Sequence, residues 1–85
     1  MSNHSGSYML NDVFEMLDRQ QVFSALDKTT TQKLIREIVE MASHKYDCNP
    51  GEILNGHTDR FNLCYYCLAD ATNLDGGMCE KCLSE

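Results

Sequence analysis

Between positions 9 and 17 the apolar residues recur on one helical face. Leu10, Val13, Phe14 and Leu17 stand at i, i+3, i+4 and i+7. The pattern predicts an amphipathic helix, with Ser7 or Asn11 as N-cap and Asp12 and Glu15 suited to its first turn. A second apolar group, Val22, Phe23 and Leu26, is out of phase with the first. The intervening Arg19-Gln20-Gln21 therefore predicts a bend, with helical character continuing to about Leu26. Thr29 and Gln32 then have the spacing of a capping box. They introduce the stripe Leu34, Ile35, Ile38, Val39 and Ala42, with Lys33, Arg36, Glu37 and Glu40 mostly opposite. That stripe predicts a helix over residues 30–45, flanked by Met41 and His44. Asn49 as cap, Pro50 in the first position and Glu52 in the third predict a second start, and Asn55-Gly56 its stop. Such a short helix must dock Ile53 and Leu54 on its longer neighbour.

The period then disappears. Phe61-Asn62-Leu63 alternates briefly, and Asn73-Leu74-Asp75-Gly76-Gly77 is turn chemistry. Residues 1–7 are small and polar and read as a disordered tail. The chain thus divides into a tail at 1–7, a helical region at 8–56 and a different kind of module at 57–85. The predicted fold is a small α+β one: a helical hairpin or three-helix unit followed by a four-cysteine metal module.

Composition says why a module of that kind is needed. The chain has 85 residues, of which 42% are hydrophobic and 8% aromatic, with no tryptophan. A single core near this size supplies only ~3–5 kcal/mol, so small chains take a staple. Five cysteines are the candidates. No apolar run approaches the ~20 residues of a membrane span. The first residues lack a basic segment followed by an apolar one, so the sequence is read as cytoplasmic and its thiols as reduced.

Cys64-Tyr65-Tyr66-Cys67 is followed after eleven residues by Cys79-Glu80-Lys81-Cys82. Two residues between cysteines let both thiolates face one ion, and two such pairs close a tetrahedral site. Zn²⁺ in a structural role is the leading ion, with iron in a rubredoxin-like site as the alternative. The segment 61–85 resembles four-cysteine zinc-ribbon and zinc-knuckle modules on the strength of Cys64, Cys67, Cys79 and Cys82. The resemblance implies a bound metal and a small β-hairpin-like fold, and it implies no particular function. A dithiol redox protein is the competing reading of the cysteines, although nothing resembles the βαβ setting it needs. Cys48 falls outside the pattern and reads as a buried apolar residue, or else as a ligand with His57 or His44. His57 reads as a loop residue and His4 as an exposed residue of the tail.

No nucleophile–base pair or phosphate-binding glycine loop is present, which argues against an enzyme. Seven basic and thirteen acidic residues give a net charge of −6. Residues 1–47 carry −2 and residues 48–85 carry −4, with only Arg60 and Lys81 positive in the latter. That distribution disfavours nucleic acid and favours a protein partner. The expected function is that of a small zinc-stapled regulatory or adaptor protein. Tyr65 and Tyr66 on the first cysteine turn, with Phe14 and Phe23 on the helices, are its candidate contact residues. The alternative is a transcription-linked nucleic-acid binder, because residues 31–56 look slightly like the closing helices of a helix-turn-helix repressor. Lys33, Arg36 and Lys45 are few for that task and are interleaved with Glu37 and Glu40. A third expectation is a homodimer through the helices, using Phe14, Phe23, Met16 and Met41.

Overall fold

The computed structural model describes residues 3–72 and 74–84. Helix α1 runs His4–Arg19, a 3₁₀ turn follows at Phe23–Ala25, and α2 spans Lys28–Tyr46. Among the described residues, three one-turn helices complete the helical content: α3 at Pro50–Ile53, α4 at Thr58–Phe61 and α5 at Glu80–Leu83. The expected bend lies where the sequence changes phase, with Gln21 in the left-handed region at φ +61°.

The expected tail is corrected from Asn3 onward. Asn3 caps α1 by accepting from the Gly6 N–H at 2.9 Å. The residues mistaken for a polar tail find their partners on α3 and its approach. The buried Ser7 hydroxyl donates to the Asn3 carbonyl and accepts from the Asn49 N–H at 2.8 Å. His4 holds Glu52 through Nδ1 at 2.6 Å and stacks on Tyr8. Asn11 caps nothing at its own end. Its amide donates to the carbonyls of Ile53 (3.0 Å) and Asn55 (2.8 Å), the orphan groups at the end of α3. Residues 1 and 2 of that tail lie outside the described residues.

The capping box is also corrected. Asp27 caps α2 by accepting from the Thr30 N–H at 2.7 Å, which releases Gln32 for another task. The stripe is confirmed in its centre: Ile35, Val39 and Ala42 are buried, while Leu34 lies at the exposed margin. Asn49 caps α3 as expected, accepting from Gly51 and Glu52.

One apolar core joins α1, the 3₁₀ turn, α2, α3, α4 and the first cysteine turn. Phe14, Phe23, Ile35, Val39, Ile53, Leu54, Phe61, Leu63 and Leu68 belong to it. Phe23 and Phe61 meet edge-on at 4.9 Å between ring centres. Leu63 and Leu68 come from the cysteine-bearing segment, so no break in the core marks the boundary expected at 56/57. Phe14 and Phe23 are buried here, which corrects their assignment as partner-contact residues. The expected β-hairpin contracts, among the described residues, to two isolated antiparallel bridges, Leu63 to Asp70 and Asp75 to Met78. None of the described helices is long and apolar enough to cross a membrane.

Candidate metal centre

The first cysteine pair sits on a tight turn. The Leu68 N–H donates to the Cys64 carbonyl at 2.8 Å, and the Cys64 N–H donates to Ala69 at 3.1 Å. Leu68 takes the left-handed conformation, φ +58°, that lets the chain leave this turn. The second pair sits on α5, with Cys79 as its N-cap residue and Cys82 inside it. A two-residue reversal at Gly76-Gly77 brings the second pair back to the first. Both glycines have positive φ, +61° and +88°, as a hairpin of this kind requires. Asp75 and Met78 exchange N–H···O bonds of 2.9 and 3.2 Å across it. A side chain at Gly77 would begin 3.0 Å from the Tyr65 ring and sit at φ +88°, so a larger residue there is strained and crowds that ring. The Tyr65 N–H donates to the Gly77 carbonyl at 3.0 Å and ties the two cysteine units together. Asn73, included in the expected turn, lies outside the described residues.

The sulfurs of Cys64, Cys67, Cys79 and Cys82 converge within 4.8 Å of one another. Cys64 and Cys82 are 3.6 Å apart and Cys67 and Cys79 are 3.7 Å apart. A tetrahedral ion bonded to sulfur at ~2.3 Å places its ligands ~3.8 Å from each other, so the donor set fits such an ion. All five cysteines of the chain are free thiols. Among the described residues this is the one group of three or more metal-capable side chains.

The local electrostatics favour a cation. Burial opposes ionisation of Cys64. The backbone N–H groups of Cys67, Cys79 and Tyr66, which face its sulfur, outweigh that penalty and bring its pKa down to about 6. Cys67 and Cys82 are pushed the other way, chiefly by burial, and Cys82 further by hydrogen bonds with the three neighbouring sulfurs. One thiolate is therefore favoured, and Cys67 and Cys82 resist further negative charge until a positive ion balances it. Four sulfur donors leave no open coordination position for water, so the centre is suited to holding structure.

The cluster is anchored to α2 through side chains that sequence reasoning did not select. Gln32 Nε2 donates to the Phe61 carbonyl and to Asp70 Oδ1, both at 2.9 Å. Arg36 Nε donates to the Leu68 carbonyl at 2.9 Å, and Lys28 pairs with Asp70 at 3.2 Å. A signal for Gln32 existed: it stands three residues before Ile35 and seven before Val39, a polar residue on the buried stripe.

The remaining candidates separate. Tyr65 packs half-buried against the core, while Tyr66 is 68% exposed beside the cluster. A groove of about 590 Å³ opens there, bordered by Tyr66, Cys67, Cys79 and Lys81. Cys48 is buried near Gly6 and takes no part in the cluster. His57 precedes α4, leans on Phe61 and contacts the Asn11 carbonyl at 3.3 Å. His44 is exposed on α2. No family model matches this chain, and neither a curated protein nor a solved structure was found similar to it.

Proposed function

We propose that the chain is a small cytoplasmic regulatory or adaptor protein that acts by binding another protein, with Zn²⁺ as a structural ion. The observation that carries the reading is the four-sulfur cluster, whose donor set fits a tetrahedral ion and offers no site for a reacting water. Cys64, Cys67, Cys79 and Cys82 would hold the zinc, which supplies folding energy to a segment poor in apolar residues. The knuckle then presents Tyr66 to solvent on a stiff turn, and a rigid exposed aromatic makes an efficient interface anchor.

Charge supports a protein over a nucleic acid as the ligand. Of the two basic residues after position 47, Arg60 is paired with Asp18 at 3.1 Å, which leaves Lys81 beside the cluster. A single cation on the metal module neutralises too few phosphates for that module to bind nucleic acid. The test has two readouts. Elemental analysis of the purified chain should give one zinc per chain. Affinity recovery from host cells should yield a partner with the wild type and lose it with Tyr66→Ser, while zinc content stays the same. Undiminished recovery of that partner by Tyr66→Ser refutes the assignment, and iron in place of zinc refutes the choice of ion.

A further inference from the structure

Between α1 and α2 lies an apolar groove that neither the core nor the metal centre uses. The helices run antiparallel, since the Asn3 N–H at the start of α1 reaches the Asp47 carbonyl at the end of α2, 2.6 Å away. Met9 and Met16 are seven residues apart on α1, and Leu34 and Met41 seven apart on α2, so each pair forms one line along its helix. These four and Tyr46 stand out into solvent, with exposures from 39% at Leu34 to 60% at Tyr46. Half-buried Leu10, Leu17 and Ile38 lie beneath them against the core. At one end the groove deepens into a cavity of about 260 Å³ between Met9, Leu10, Met41, Tyr46 and Cys48.

We propose that this groove is the contact face of a homodimer, in which the α1–α2 face of one chain meets the same face of a second copy. Two observations favour a second copy of the chain as the occupant. The first is charge. Helix α1 has three acidic residues and one basic, α2 two acidic and four basic, so the pair together is neutral. The overall −6 resides in the caps Asp27 and Asp47 and in the segment after position 47. Two copies can therefore meet through these helices without the repulsion that the net charge implies. The second is area. The exposed parts of the five side chains amount to roughly 500 Å² per chain, and the half-buried residues beneath bring the face toward the ~800 Å² that each partner of a standard interface contributes. A two-fold axis across the groove sets the Met16–Leu34 end of one chain on the Met9–Met41 end of the other, a self-complementary arrangement. Methionine fills such a seam readily because it is unbranched and polarizable.

The test is sedimentation equilibrium of the full zinc-loaded chain over roughly 10–500 µM. The expected mass rises with concentration from 9.7 kDa to twice that value. Met16→Glu and Met41→Glu should each weaken the dimer at least ~tenfold, because each buries a charge at the seam, and leave the helical circular dichroism unchanged. Tyr66→Ser should dimerise as the wild type does, which separates this contact from the one proposed at the metal knuckle. A wild type that stays at 9.7 kDa throughout overturns the proposal, whatever else the groove then binds. So does a wild-type dimer that both glutamate variants preserve.

Discussion

Replacing Gln32 probes the joint between the helices and the metal segment more directly than replacing a cysteine, because it leaves the donor set untouched. Gln32→Met keeps the length of the side chain and removes its N–H groups. The Phe61 carbonyl, last in α4 and so without an intrahelical partner, loses its 2.9 Å donor in a buried setting. An unsatisfied buried carbonyl costs about 1–3 kcal/mol. Asp70 is exposed and turns to water, while Asn62 keeps its bond from the Ala71 N–H, so neither adds much. At ~4–8 °C per kcal/mol for a chain of this size, Tm should fall by roughly 5–20 °C with zinc content unchanged. Gln32→Glu should be worse at neutral pH, by a further ~1–3 kcal/mol, because it sets a carboxylate against two carbonyls and Asp70. That new group would have a raised pKa in the folded state. Its penalty is therefore absent below its unfolded value and grows as the pH rises through the raised one. The assay is thermal unfolding followed at 222 nm, comparing both variants with wild type from neutral to mildly acidic pH. A Gln32→Met protein within ~1 °C of wild type would refute the bridge. A gap between the two variants that does not narrow on acidification would refute the account of its chemistry.

Thr31 buries a hydroxyl without a partner, so Thr31→Val, of nearly the same shape, should stabilise the protein by ~1 kcal/mol in denaturant titration. Cys48→Ala should keep its metal, whereas Cys64→Ser, Cys67→Ser, Cys79→Ser and Cys82→Ser should each lose it, as elemental analysis will read. Chelation should speed amide hydrogen exchange at Tyr65 and Leu68 by ~100-fold or more and leave Val39 protected, since α2 holds its core contacts without the four clustered sulfurs. Thr30 holds the Asp27 carboxyl below its ordinary range through bonds from its hydroxyl and N–H. The cap is thus fully effective above the ordinary carboxylate pKa and fails as the pH falls through the lowered one. Asp27→Ala should lower Tm at neutral pH, and its difference from wild type should close in strong acid.

What the sequence made legible was what neighbouring residues decide between themselves. The phase change at Arg19-Gln20-Gln21, the Asn49-Pro50 start and the cysteine spacing are short-range signals, and each appears where expected. The misreadings share one cause, which is that the polar group concerned had a distant partner. Ser7 and His4 looked like tail because their partners are some 42 and 48 residues away. Gln32 looked like half of a capping box because its true acceptor is 29 residues on. Phe23 stands among the expected contact residues because the ring that covers it, Phe61, lies in the segment where helical periodicity ceases.

Leu68 shows why the helices and the cysteine turn form one structure. The residue after the first cysteine pair needs a left-handed backbone, φ +58°, which costs a non-glycine residue ~1–2 kcal/mol. On a turn shaped by its metal alone, glycine would be the better residue. Here the side chain at that position is buried with Ile35 and Val39, and burying a leucine contributes ~1.5–3 kcal/mol. Leucine therefore about offsets its own strain or improves on it, but only while α2 stands beside the turn to receive it. Arg36 adds a bond from the same helix to the Leu68 carbonyl. The conformation that turns Cys64 and Cys67 toward the other two sulfurs is thus held by α2, and a bound ion would hold it from the other side. Loosening the contact with α2 would therefore return the strain at Leu68 to the turn and weaken its hold on a metal, while α2 keeps its own core contacts when the metal is gone.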